Sequence, residues 1–167
     1  MNILIQLNHP AHFHLYKNVI QNLKRDGHLV YILIKKKDVL EDLLKSADIP
    51  YINILPKGRK SSLQGLFYGL LVRIGRIFIF TITHKIDILA GSSSEIAPVA
   101  KLLRRRSIIT VEDDAAVIPQ LVNFVSPFLD GYLTPVVCDN GKVDSRSTKY
   151  PSYHELAYLH PNHFTAD

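Results

Sequence analysis

Cysteine is almost missing from this chain. The one cysteine, Cys138, permits no internal disulfide and cannot build a Cys-rich zinc site, which fits a reducing cytosol. Glycine and proline, 8 and 9 among 167 residues, stand at ordinary levels and exclude collagen-like and low-complexity chains. No G-x-G-x-x-G fingerprint marks the first strand-to-helix turn and no G-x-x-x-x-G-K-[ST] loop occurs, so neither usual nucleotide-phosphate cradle is indicated. No export signal is read at the start either. Met1–Leu7 is too short for an apolar signal core and runs straight into Asn8-His9-Pro10, which makes the cytoplasm the expected compartment. Internal repeats are lacking.

The composition is that of a folded domain: 47% hydrophobic and 21% charged, with a mean hydropathy of +0.07. This length predicts one domain, or two very small ones, and a domain near 150 residues buries roughly 68–70% of its unfolded surface, so no staple is needed. Lys plus Arg number 20 against 15 acids, a net +5. That moderate excess favours an anionic partner: a phosphate-bearing ligand, a membrane surface or nucleic acid. The runs Lys35-Lys36-Lys37 and Arg104-Arg105-Arg106 read as solvated turns at element ends. Neither has interleaved aromatic residues or a recognised module, so no nucleic acid is expected.

Short apolar runs alternate with helix-length periodic segments. Strands are predicted at Ile3–Leu7, Leu29–Ile34, Tyr51–Leu55, Asp87–Ala90, Ser107–Val111 and Gly131–Thr134. Phe13, Tyr16, Val19, Ile20 and Leu23 recur at helical spacing up to the Asp26-Gly27 stop, and further helices are predicted at Asp38–Ala47, Leu63–His84, Glu95–Leu103 and Pro119–Pro127. From Cys138 onward the chain is turn-rich without a strong period. Repeated strand–helix units predict an α/β, Rossmann-like parallel sheet with helices on both faces. Ligands of such sheets sit at the carboxyl ends of the strands, which here are Asn8–His14, Gly91–Ser94 and Glu112–Asp114.

The first of these segments carries three imidazoles, His9, His12 and His14, at the start of a helix. A helix N-terminus offers free N–H groups to an anion, and histidine suits a general base near neutral pH. One or two of these histidines could instead cap the turn. His-x-x-His-x-His also has plausible metal ligands, but no Cys or carboxylate lies in the segment and no metal or other cofactor is assigned. Glu112-Asp113-Asp114 repel one another unless a cation answers them; one could orient a histidine, or all three could form a solvated turn. Gly91, Ser92 and Ser93 could cradle a polar ligand. The Leu63–His84 helix is apolar on nearly all sides, with Arg73 and Arg76 on a narrow polar stripe. Each central Arg costs about 2.5–3.5 kcal/mol on insertion scales, which argues against a membrane span. Phe67, Tyr68, Leu71, Phe78 and Phe80 are more than one sheet face can cover. Beside the basic loop Lys57–Lys60, they leave core packing and contact with an anionic membrane surface both open.

Four segments together carry a resemblance: Asn8-His9-Pro10-Ala11-His12-Phe13-His14, Glu112-Asp113-Asp114-Ala115-Ala116-Val117, Cys138-Asp139-Asn140-Gly141-Lys142 and Tyr153-His154-Glu155-Leu156-Ala157-Tyr158-Leu159-His160-Pro161. In this order they resemble a bacterial and archaeal domain-of-unknown-function family described as predicted GT-B glycosyltransferases. That family is itself similar to UDP-N-acetylglucosamine 2-epimerases and to the membrane-associated N-acetylglucosaminyltransferase of peptidoglycan synthesis. The resemblance implies the N-terminal, acceptor-side domain of a GT-B fold over 1–149, with 150–167 leading into a second domain that binds most of the sugar-nucleotide donor. It implies His12 as the base that deprotonates the acceptor hydroxyl, partnered by Asp113 or Asp114. Asn8, His9, His14, Gly91, Ser92, Ser93, Glu112 and Asp114 would then contact substrate, and His154 and Glu155 would face the donor side. The implied reaction is sugar transfer from a nucleotide sugar to a lipid or polysaccharide acceptor, by a protein that is cytoplasmic or peripheral on the inner membrane face. A nucleotide-sugar 2-epimerase relative, and a non-catalytic remnant or binding subunit that needs a donor-domain partner, are the alternatives.

Overall fold

A computed structural model describes residues 1–35, 38–55, 63–162 and 164–165. Seven strands form one sheet: β1 (Asn2–Leu7), β2 (Leu29–Lys35), β3 (Ile52–Leu55), β4 (Ile88–Gly91), β5 (Arg106–Thr110), β6 (Gly131–Pro135) and β7 (Ser147–Tyr150). Their order is β3-β2-β1-β4-β5-β6-β7 and every pairing is parallel. Chain direction across the sheet reverses between β1 and β4, so the switch point lies where Asn8 and Ser92 leave their strands. Parallel strands covered on both faces read as continuous apolar runs, and β1 obeys: Ile3, Leu4, Ile5 and Leu7 are all buried.

Helices cover both faces of the sheet. On one side α1 (Pro10–Arg25) and α2 (Leu40–Ser46) bury Phe13, Tyr16, Ile20, Leu40 and Leu44 against Ile5, Leu7 and Ile34. On the other, α3 (Leu63–Thr83), α4 (Ile96–Leu102) and α5 (Pro119–Val125) bury Ile77, Ile96, Ala97 and Val122 against Leu4, Leu33 and Leu89. The first helix is specified locally. Pro10 stands in its first turn, the His9 side chain accepts the Ala11 N–H at 3.2 Å, and Gly27, at φ +81°, turns the chain out after the Asp26 cap. Where β4 passes β1 the backbones nearly touch. A Cβ on Gly91, whose φ is +144°, would lie 2.4 Å from the Gln6 carbonyl oxygen, so only glycine fits.

Two expectations for α3 change. Arg73 does not lie on an outward polar stripe; it is buried and pairs with Glu95 at 2.5 Å. Arg76 donates to the Ile54 carbonyl and ties the helix to β3. Phe78 and Phe80 pack against the core, whereas Phe67, Tyr68, Leu71, Ile79 and Ile82 are 64%, 70%, 50%, 62% and 52% exposed. Their spacing of one, three, eight and three residues places all five on one side of the helix. Among the described residues no helix is long and apolar enough to cross a membrane. The Lys57–Lys60 loop, with Lys36 and Lys37, lies outside the described residues.

The turn-rich tail holds the seventh strand. Ser147-Thr148-Lys149-Tyr150 is a polar edge strand with no apolar run to reveal it, preceded by a 3₁₀ turn over Gly141–Arg146. Beyond it, α6 (Leu156–Leu159) packs on α1: Asn18 Nδ2 donates to the Ala157 carbonyl at 2.9 Å, and the His14 and Tyr158 rings meet at 5.4 Å.

Candidate active site

The carboxyl ends of β1, β4 and β5 and the returning tail meet at a small polar cavity of about 120 Å³. His12, Ser92, Glu112, Asp113 and His154 line it, with Thr110 at its floor. Four segments far apart in sequence thus place two imidazoles, two carboxylates and two hydroxyls around one space.

His12 sits in the first turn of α1. Its Nδ1 accepts the Asn8 backbone N–H at 3.2 Å. A ring nitrogen that accepts carries no proton, so the neutral ring holds its proton on Nε2 and offers a donor there. Burial first, then the neighbouring His9, Lys35 and His154, lowers its pKa to about 4, so the ring is neutral at pH 7. Among the described residues no hydrogen bond joins His12 to Asp113, although both line the cavity. Asp114 is engaged elsewhere: its Oδ1 accepts the Asp139 N–H at 2.8 Å while the Asp139 carbonyl accepts the Ala115 N–H at 2.7 Å. That pair of bonds, with Cys138 Sγ donating to the Glu112 carbonyl at 3.1 Å, locks the loops after β5 and β6 together.

The carboxylate that does hold a histidine is Glu112. Its Oε2 lies 3.0 Å from His154 Nδ1. His154 is 8% exposed, and its Nε2 is buried with no hydrogen-bonding partner among the described residues. A carboxylate oxygen at that distance favours a proton on Nδ1, so in the neutral ring the tautomer is opposite to that of His12 and the lone pair lies on Nε2. Their separation of 42 positions hid this pair from sequence reading, though both residues lie in segments the resemblance marked.

The remaining expected residues divide. Ser92 lines the cavity. Ser93 turns inward, where its hydroxyl donates to Glu95. Burial alone would raise the Glu95 pKa, but the Ser93 hydroxyl and Arg73 outweigh it and hold the carboxyl below its ordinary value. Gly91 serves the close approach of β4 to β1. His9 caps α1, His14 packs between Phe13 and Tyr158, and Glu155 is exposed and lines neither this cavity nor the one beside it. Among the described residues no group of three or more ligating side chains could hold a metal. Thr110, which sequence reading passed over, bonds the Tyr16 hydroxyl, whose pKa burial raises to about 12.

No family model and no curated protein matches the sequence. Solved structures do match its fold. A UDP-N-acetylglucosamine 2-epimerase is similar over 100% of this chain and 51% of its own, at 14% identity and a TM-score of 0.69. MurG of Acinetobacter baumannii is similar over 80% and 41%, at 17% identity and 0.61. The spinosyn rhamnosyltransferase SpnG, solved with spinosyn aglycone, is similar over 81% and 45%, at 14% identity and 0.60. The fold is a GT-B-like half-domain. The chain spans about half the length of these solved proteins, or less. Within this half-domain, the polar cavity lies at the strand ends beside the switch point, the general ligand position of open parallel sheets.

Proposed function

We propose that this half-domain is the N-terminal, acceptor-side half of a GT-B glycosyltransferase-like protein, transferring a sugar from a nucleotide sugar to a lipid or polysaccharide acceptor. One observation carries the reading: His12 and the Glu112–His154 pair converge with Ser92 and Asp113 on one cavity at the strand ends. A proton donor and a proton acceptor set side by side suit displacement at a sugar carbon, where an acceptor hydroxyl loses a proton while a diphosphate departs. MurG and SpnG being among the structural neighbours supports the same class. The donor is held mainly by a second domain. The exposed apolar side of α3 supports an acceptor held at a membrane surface, with the protein peripheral on its inner face.

A second reading has its own support. The 2-epimerase likeness extends over 100% of the chain and has the higher TM-score, 0.69 against 0.61 for MurG. One experiment separates them. The chain is fused to the donor half of a structural neighbour and supplied with UDP-N-acetylglucosamine and hydroxylated acceptors. Acceptor-dependent release of UDP with formation of a glycoside supports transfer. Deuterium entering sugar C2 in heavy water, without a glycoside, supports epimerisation, since inverting C2 must break its C–H bond. Neither reaction in the folded fusion overturns both in favour of a binding subunit.

A further inference from the structure

Beside the polar cavity lies a larger one, about 530 Å³, roofed by the C-terminal tail. That volume falls in the range of small-molecule sites, roughly 300–1,000 Å³. Its walls are Leu15 of α1, Leu133 of β6, Tyr150 of β7, and Leu156 and Ala157 of α6, so an occupant must present apolar surface over most of its body. The tail adds Ser152, His160 and Asn162 to this lining, and of the cavity's polar residues Thr110 and His154 belong to both cavities. Thr110 already bonds Tyr16. Among the described residues His154 Nε2 has no hydrogen-bonding partner, although it is buried. A buried polar atom without a partner is costly, and a ligand hydroxyl at this junction would satisfy it.

We propose that the tail cavity binds the acceptor, an apolar body bearing one hydroxyl, and that His154, held by Glu112, takes the proton of that hydroxyl. This rests on the acceptor-half reading above and names the acceptor's chemistry and its base. In the step, the hydroxyl oxygen bonds to the anomeric carbon of a nucleoside-diphosphate sugar entering from the polar cavity. The hydroxyl proton passes to His154 Nε2. The anomeric C–O bond to the diphosphate breaks, and the nucleoside diphosphate leaves with that electron pair. His154 is the catalytic residue; Glu112 is a positioning residue that fixes the tautomer and answers the imidazolium charge across 3.0 Å. His12, whose outer nitrogen carries a proton, is a hydrogen-bond donor in this arrangement and not the base.

The test uses the full chain and 4-methylumbelliferone, a flat apolar molecule with one phenolic hydroxyl. Imidazole nitrogen NMR at pH 7 should show His154 protonated on Nδ1, and the probe should shift its Nε2 signal saturably. Leu133→Trp, which fills the cavity, should weaken binding at least tenfold while leaving the tautomer signature. Ala157→Phe at the rim should do the same if the first variant folds poorly. Glu112→Gln should abolish the tautomer preference while changing probe affinity less than threefold. No saturable binding at millimolar probe, binding indifferent to both cavity variants, or shifts confined to His12 and Ser92 would each overturn the proposal. The donor-completed fusion keeps the two readings apart: glycoside formation there without probe binding in the tail cavity overturns the pocket and spares the acceptor-half reading.

Discussion

Two histidines at the strand ends are held in opposite tautomers by ordinary neighbours, a backbone N–H for His12 and a carboxylate for His154. The His12 consequence is measurable without turnover. Its folded pKa of about 4 lies below the unfolded value of 6.5. Below pH 6.5 the unfolded chain therefore takes up a proton that the folded chain refuses. The stability linked to His12 is fully present above that pH and is lost as pH falls toward 4, at no more than about 1.4 kcal/mol per pH unit for one linked proton. His12→Gln, which can still accept the Asn8 N–H but does not titrate, should flatten urea-derived stability between pH 6.5 and 4. A His12 ring that protonates near 6.5 by NMR would refute the neutral assignment. Residue chemistry of this kind was half legible in the sequence. The segment holding His12 stood out as a cluster, and Glu112 as one of three crowded acids. The pairings did not stand out: the Asp113 or Asp114 partnership was implied only by the resemblance, whereas in the fold Asp139 engages Asp114 and the tail delivers His154 to Glu112.

At the scale of elements, α3 shows why apolar composition alone misleads. Its inner side is not purely apolar: Arg73 and Glu95 form a buried pair whose side chains are 9% and 5% exposed, with Ser93 bonded to the same carboxylate. Removing one partner of such a pair strands a charge in the core. Arg73→Met should cost about 3–5 kcal/mol, and adding Glu95→Leu should recover most of it. Additive losses in the double variant, by chemical denaturation, would show that the pair is not the unit. The outer side has the opposite character, with Phe67, Tyr68, Leu71, Ile79 and Ile82 in water. The sequence places Lys57, Arg59 and Lys60 just before this helix. We expect the protein to float with anionic liposomes and to dissociate as salt rises, since exposed charges are screened over about 10 Å at 0.1 M. Phe67→Ser with Ile79→Ser should reduce recovery severalfold. Equal recovery on neutral vesicles would remove the electrostatic part, and no flotation at all would remove the membrane. Strands with continuous apolar runs were readable because both their faces are buried; β7 was not, because an edge strand of Ser, Thr, Lys and Tyr has no such run.

For the whole molecule, the deciding quantity is how much nucleotide binding one half-domain can supply. The sheet order places a single switch-point site at β1 and β4, and its walls are imidazoles, carboxylates and hydroxyls. The turn after β1 is Asn8-His9-Pro10, where a proline and a capping histidine stand in place of the glycines that let a backbone close on a diphosphate. On the acceptor-half reading that role falls to a second domain, and each solved neighbour compared is about twice as long as this chain or longer. The net charge of +5 still attracts a nucleoside diphosphate, but weakly and in a salt-dependent way. Calorimetric titration of the 167-residue chain with UDP-N-acetylglucosamine should therefore show binding no tighter than millimolar, fading further in salt. Without the donor fixed against the acceptor hydroxyl, displacement loses the positioning that makes it effectively unimolecular, and the chain by itself should release no UDP. Micromolar binding, about 8 kcal/mol, that persists in high salt would locate a complete donor site within this half-domain and overturn its assignment as the acceptor side.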